Sequence, residues 1–166
     1  MKSSSKIKIR QLKNIIAKAE LLYQTAERSF VDGSPWTLVQ FESLLTQPYI
    51  EVHVAEVAED DVEDQSKTDK NEVVGLLVSI ITEGESEIFM IGVAESYQNQ
   101  SIGTRLFDDF KKYLAKNAVN TIYLEVRESN EAAQRFYKSH GFKLEGVRRK
   151  YYSKPTEDAL VLKYKE

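Results

Sequence analysis

Apolar and polar residues alternate with period two in several stretches of this chain and repeat with helical spacing between them. "KIKIRQ" (6–11) alternates and predicts a first strand. In "LKNIIAKAELLYQTAERSF" (12–30), Leu12, Ile15, Ile16, Ala19, Leu22, Tyr23 and Ala26 fall on one helical face, which predicts a single helix broken by "VDGSP". "TLVQFESLLTQ" predicts a second, shorter helix. Thr37 is its cap with Gln40 three residues on, Leu38, Phe41, Leu44 and Leu45 form its stripe, and Pro48 closes it. "YIEVHVAEVA" (49–58) alternates as a strand. The acidic stretch "EDDVEDQSKTDKNE" (59–72) has no such pattern and reads as a solvated loop between two strands of a hairpin, with attraction of a basic substrate as the alternative.

"VVGLLVSII" is almost wholly apolar and predicts a central strand, followed after "TEGES" by the strand "EIFMIGVA". A polar turn then leads into a helix with Ile102, Leu106, Phe110 and Leu114 on one face. "TIYLEV" predicts a strand, and "SNEAAQRFYKSH" a helix capped by Ser129 or Asn130 and stopped at Gly141. "KLEGVRRKYY" and "DALVLKYK" predict a final antiparallel pair. The crossover from "EIFMIGV" through a helix to "TIYLEV" requires parallel neighbours, whereas the hairpins require antiparallel ones. The expected fold is therefore α/β (α+β): a mixed, mostly antiparallel central sheet of roughly six or seven strands, with about four helices on both faces. No repeat or linker divides the chain, so a single domain over residues 1–166 is expected.

Composition narrows the chemistry. The chain has no Cys, which excludes disulfides, thiolate metal sites and a cysteine acyl carrier. His53 and His140 stand far apart without ligand spacing, so no metal site is expected. A net charge of −3 argues against broad nucleic-acid binding. No apolar run nears the roughly 20 residues of a membrane span, and "MKSSSKIKIRQ" lacks the apolar core of a signal peptide. Those features fit the cytoplasm.

The turn "SYQNQSIGTRLFDDF" (96–110) places Gly103 where a helix begins. A helix start leaves N–H groups unpaired and carries partial positive charge, so it can hold an anion, and Gly lets a phosphate come close. A flexible helix entry explains the same Gly. The stretch matches neither a Walker loop nor a dinucleotide fingerprint.

"IGVAESYQNQSIGTRLFDDF" resembles the acyl-CoA-binding segment of the GNAT N-acetyltransferases, with their [QR]-x-x-G-x-[GA] pattern falling on Gln98, Ser101 and Gly103. Ser101 replaces a family Gly, and a position with φ > 0 would strain it. Asn99 and Gln100 stand where basic residues often occur. "YLEVRESNEAAQRFYKSHGF" is similar to the family's next segment. "RRKYYSKPTEDALVL" and "PWTLVQF" resemble one subfamily, the ribosomal-protein-alanine N-acetyltransferases. The resemblance implies acetyl-CoA as co-substrate. Its pyrophosphate would sit on Gln98, Asn99, Gln100, Ser101, Ile102, Gly103 and Thr104, and its pantetheine on the backbone of Ile91, Gly92 and Val93 and on Asn130.

Acetyl transfer requires a base for the amine, polarisation of the thioester and a proton for the leaving thiolate. Ile122, Leu124 and Val126 share one face of their strand, and Tyr123 and Glu125 the other. Glu125 is a candidate base, its pKa raised by partial burial, or else an exposed or ion-paired strand residue. Tyr137 is a candidate acid or a core aromatic, and Asn130 a helix cap, a pantetheine donor or both. The resemblance implies the functional role for each, and it makes the last hairpin, with Arg148, Arg149, Lys150, Tyr151 and Tyr152, a wall of the acceptor groove. Trp36 is a core anchor or a second wall.

An α-amine has a pKa of roughly 7.7–8.0 against about 10.4 for lysine, so near pH 7 about a tenth of α-amines are neutral but very few lysines. A single Glu base suits an N-terminal amine. The resemblance points to the N-terminal Ala of a small-subunit ribosomal protein, by direct transfer. A small-molecule or lysine amine is the alternative acceptor, and a non-catalytic coenzyme-binding sensor is the reading from another class.

Overall fold

The alternating stretches form seven strands: β1 (Lys6–Gln11), β2 (Ile50–Ala58), β3 (Glu72–Thr82), β4 (Glu85–Val93), β5 (Thr121–Arg127), β6 (Lys143–Ser153) and β7 (Thr156–Lys165). The 3.6-periodic stretches form four α-helices: α1 (Ala19–Glu27), α2 (Leu38–Leu45), α3 (Ile102–Lys116) and α4 (Glu131–Ser139). The computed structural model describes residues 6–58 and 71–166, and the acidic stretch 59–70 lies outside the described residues. The sheet order is β1-β2-β3-β4-β5-β7-β6. β1 pairs antiparallel with β2, β5 with β7 and β7 with β6, while β4 and β5 run parallel, as a crossover through α3 demands. This is the mixed, mostly antiparallel sheet that the pattern predicted.

The chain forms two compact units, residues 1–78 with 90–113, and residues 79–89 with 114–166. In the first, β1 pairs with β2 from Lys6↔Ala58 to Gln11↔His53. The helix predicted over 12–30 is shorter than its periodicity. Asn14 adopts the left-handed conformation at φ 54°, residues Ile15–Lys18 form a 3-10 turn, and α1 begins only at Ala19. Asn tolerates that conformation because its short polar side chain bonds locally, so it can interrupt a helix where Leu or Ile would continue it. Leu12 then extends the β1 connection, donating its N–H to Val52 O at 2.8 Å. The interruption leaves Ile16 63% exposed, off the face the spacing gave it, while Ala19, Leu22 and Ala26 remain buried.

α2 starts at the predicted capping box: Gln40 N–H donates to Thr37 Oγ1 at 3.3 Å, and Thr37 N–H to Gln40 Oε1 at 2.8 Å. Phe41 and Leu45 are buried, and Trp36 packs edge-on against Phe41 at 5.4 Å, which supplies the core-anchor role. Ile102, Leu106, Phe110 and Leu114 of α3 are all buried, as their spacing required.

In the second unit, Glu83 and Gly84 join β3 to β4 with φ of 50° and 82°, the pair of positive angles that a tight hairpin uses. Asn130 rather than Ser129 caps α4, its Oδ1 accepting from Ala133 N–H at 3.0 Å. Gly141 follows α4 at φ 87°, the left-handed stop that Gly adopts without strain.

Candidate active site

The first group of predicted site residues lies in the first unit, at the end of β4 and the start of α3. A 3-10 turn at Glu95–Tyr97 leads out of the strand. Gln98 ties the turn down: its Nε2 donates to Val93 O at 3.0 Å and to Ser29 O at 3.4 Å. Asn99 and Ser101 both have positive φ, 59° and 58°. Ser101 O accepts from Arg105 N–H at 3.0 Å, the first backbone bond of α3. Ser101 therefore holds the conformation that strains a residue with a Cβ, at a cost on the order of 1 kcal/mol relative to Gly.

Asn99, Gln100 and Ser101 are exposed, and Gly103 and Thr104 are half-buried in the first turn of α3. Ile102 is different. Its side chain is buried with Ala55, Val74, Ala94 and Leu106, so it can offer an anion only its backbone N–H. Ile91 and Val93 pack against the same cluster, so their side chains belong to the core. Gly92 has a packing reason of its own. A Cβ there would lie 2.9 Å from Ser29 Cβ and 3.1 Å from the Phe30 ring, too close for any side chain.

The second group lies in the second unit. The parallel ladder runs from Glu85↔Thr121 to Ile88↔Leu124, with Glu87 opposite Tyr123. Paired residues of parallel strands point to the same face, and every second residue repeats it. Ile122, Leu124 and Val126 are buried on one face, as predicted. Glu87, Tyr123 and Glu125 share the other and line a cavity of about 350 Å³ together with Glu85, Arg148 and Val161.

Glu125 is neither bare nor fully exposed. Its Oε1 lies 2.6 Å from Arg148 Nε, with its side chain 16% exposed against 59% for the arginine. The ion pair that the sequence left open as an alternative is thus present. The Glu125 carboxylate beside it, together with burial, raises the pKa of the Tyr151 phenol. Burial raises the Glu87 carboxyl above its usual range. The negative charge of Glu125 pushes it the same way, and Arg148 opposes both.

Tyr137, on α4, is buried between Phe136 and Phe142, each ring 5.4 Å away. Burial pushes its pKa well above the ordinary phenol value, with Tyr152 adding to the shift. Tyr152 in turn is raised by burial and by the charge of Glu125. Glu125, Tyr152 and Tyr137 are therefore electrostatic neighbours in series. Tyr152 is fixed by Arg127, whose guanidinium lies 4.0 Å from the ring centre and pairs with Glu157 at 2.6 Å. Asn130 uses its amide oxygen in the α4 cap, and its amide nitrogen remains the group suited to donate.

Glu87 did not stand out in the sequence. The signal was available in the alternation of "ESEIFMIGV", where Ser86, Ile88 and Met90 are buried and Glu87 falls on the opposite face. What the pattern could not supply is the register that sets Glu87 beside Tyr123.

The model of the Acetyltransferase (GNAT) family matches residues 20–142. The chain is 29% identical over 163 residues to a Bacillus subtilis protein named putative [ribosomal protein bS18]-alanine N-acetyltransferase, covering 98% of this chain and 96% of that one. It is 35% identical over 99 residues to the Escherichia coli [ribosomal protein bS18]-alanine N-acetyltransferase, a match covering 57% of this chain and 66% of the relative. The crystal structure of the ribosomal-protein-S18-alanine N-acetyltransferase from Escherichia coli superposes with a TM-score of 0.78 at 25% identity, over 96% of this chain and 94% of that one.

Proposed function

The chain belongs to the GNAT acetyltransferase family and is an acetyl-CoA-dependent N-acetyltransferase, and we propose that its acceptor is the α-amine of a protein N-terminus, the N-terminal Ala of a small-subunit ribosomal protein. The observation that carries this reading is the acidic cavity on β5, where Glu125 and Glu87 line a space of about 350 Å³. Such a cavity draws in a cationic amine and holds a carboxylate that can take its proton once Arg148 has moved away. The names of the full-length Bacillus and partial Escherichia relatives point to the same acceptor.

Glu125 is the general base. The acceptor arrives as an ammonium and gives one proton to Glu125, directly or through a water. The freed amine attacks the thioester carbon, the C–S bond breaks, the thiolate takes a proton from Tyr137, and the second proton of the attacking nitrogen passes to the tyrosinate, directly or through a water, which leaves a neutral amide and restores Tyr137. A phenol whose pKa is pushed up by burial is fully protonated at neutral pH and so is always in the donating form. An α-amine suits one carboxylate base because its pKa, roughly 7.7–8.0, needs little help near neutral pH.

In the first unit, the exposed N–H groups at the start of α3 bind the pyrophosphate of acetyl-CoA. The residues present suit that role, since the left-handed Asn99 and Ser101 shape the turn, Gln98 anchors it, and Gly103 gives the phosphates close approach. The backbone of Ile91, Gly92 and Val93 holds the pantetheine arm.

The test is intact-mass spectrometry of two basic peptides with acetyl-CoA, one beginning with a free Ala and the other N-blocked and containing Lys. A gain of about 42 daltons, one acetyl group, on the free-amine peptide alone is the expected result. A gain on the blocked peptide would move the reading to lysine. No gain on either, with coenzyme bound, would move it to a small amine or to a non-catalytic sensor.

A further inference from the structure

The carboxylate assigned as base is occupied in the resting structure. Arg148 Nε lies 2.6 Å from Glu125 Oε1. The guanidinium sits where an ammonium would meet this carboxylate, so the arginine must leave before an amine can take that place.

The strand that carries Arg148 is built to hold it there. The β6–β7 register shifts between Arg148 and Tyr152, with Lys150 at φ 51°. Asp158 of β7 fixes this bulge, accepting from Lys150 N–H at 2.7 Å and from Arg149 Nη1 at 2.9 Å. Arg148, at the edge of the bulge, reaches Glu125, and its guanidinium lies 5.5 Å from the Tyr151 ring. Arg149 and Lys150 are thus tied to Asp158 while Arg148 is left to the cavity.

The charges of the cavity do not balance. Its two half-buried carboxylates, Glu87 and Glu125, face one guanidinium, and Glu85 adds a third carboxylate at the exposed rim. From β7, Val161 brings no charge, and Lys163 is turned to Glu145 and to the Tyr123 ring. The inner pair is therefore one positive charge short. An alkylammonium supplies one charge and three N–H donors.

We propose that Arg148 is a specificity-determining residue that holds the place of the acceptor's ammonium on Glu125, and that acceptor binding is an exchange in which the guanidinium moves to Glu87 while the ammonium takes the freed Glu125 oxygen. Both carboxylates are then paired, one cation each. A neutral acceptor cannot compensate Glu125 for the lost guanidinium, so the exchange selects primary amines that enter charged. This inference rests on Glu125 as the amine's partner but not on turnover.

The experiment is titration calorimetry of an Ala-initiated tetrapeptide into the full chain saturated with CoA, which reads acceptor binding without reaction. Removing the competitor in Arg148→Ala should tighten peptide binding roughly three- to tenfold, the scale of a partly exposed ion pair. Added guanidinium chloride should reverse that gain, competing with the peptide in the variant beyond the effect of equal NaCl. Glu87→Gln, which removes the second seat, should weaken binding several-fold with Arg148 in place. Arg148→Lys should bind like the parent. Weaker or unchanged binding in Arg148→Ala would overturn the proposal, since an arginine that merely walls or grips the peptide gives that result. Absence of binding to both proteins would overturn it too. Tightened binding without acetylation of the same peptide would leave the exchange standing and would count against the acceptor proposed above.

Discussion

At the start of α3 the chain offers backbone, and in the cavity on β5 it offers side chains. The two regions respond differently to change. In the turn, Ser101 stands where the family pattern has Gly, and it still adopts the left-handed conformation at φ 58°. The N–H groups that would meet a phosphate belong to the main chain, so a side-chain replacement costs strain without removing a donor. In the cavity, Glu125, Glu87 and Arg148 act on one another through side-chain charge, and no backbone group can replace any of them. A backbone site can therefore drift in sequence where a site built on side-chain charge cannot.

The sharpest break in that contrast is Tyr137→Phe, which keeps the packed ring and removes only the hydroxyl. Loss of a general acid should slow kcat by about a hundredfold, with the melting temperature little changed. An unchanged rate would return Tyr137 to the role of a core aromatic between Phe136 and Phe142. Next in size is Gly103→Val. Bulk at the helix start should weaken acetyl-CoA binding about tenfold, read by calorimetry, while kcat at saturating coenzyme stays near the parent. Normal binding would mean that Gly103 is only a flexible helix entry.

Ser101→Gly tests the tolerance of the turn from the other side. Relief of the positive φ should stabilise the fold by about 1 kcal/mol in urea unfolding, offset in part by the added freedom of Gly in the unfolded chain. Coenzyme binding should persist. A variant less stable than the parent would mean that the serine hydroxyl matters more than the strain.

The smallest effect is a pH dependence at Glu157. The Arg127 guanidinium and Ser129 hold its carboxyl below the usual range. The folded value is then lower than the unfolded one, so its stabilisation is present above about pH 4.3. It is lost as pH falls through the depressed folded value. The melting-temperature gap between parent and Glu157→Gln should close in acid. A gap that held constant would contradict the assignment.

Much of this could be read from local pattern, because local forces decide it. The Thr37–Gln40 box, the stripe of α3 and the two faces of β5 each depend on neighbours a few residues apart. The break at Asn14 does not. Its periodicity continues on both sides, and only the bond from Leu12 N–H to Val52 O makes the interruption worthwhile. The turn into α3 was legible because a Gly-containing helix start is itself a local feature. Glu87 and the grip of Arg148 on Glu125 were not. One needs the β4–β5 register and the other the bulge in β6, and both are pairings between residues distant in sequence.

The central claim is that the chain divides its work between a backbone that binds coenzyme and a carboxylate that takes the proton. Glu125→Gln tests it most directly when acetyl-CoA affinity and the single-turnover acetylation rate of an Ala-initiated peptide are measured on the same protein. The expected result is affinity within about twofold of the parent and a rate lower by about two orders of magnitude or more. A rate that survives the substitution, or one that falls only as far as coenzyme affinity does, would contradict it.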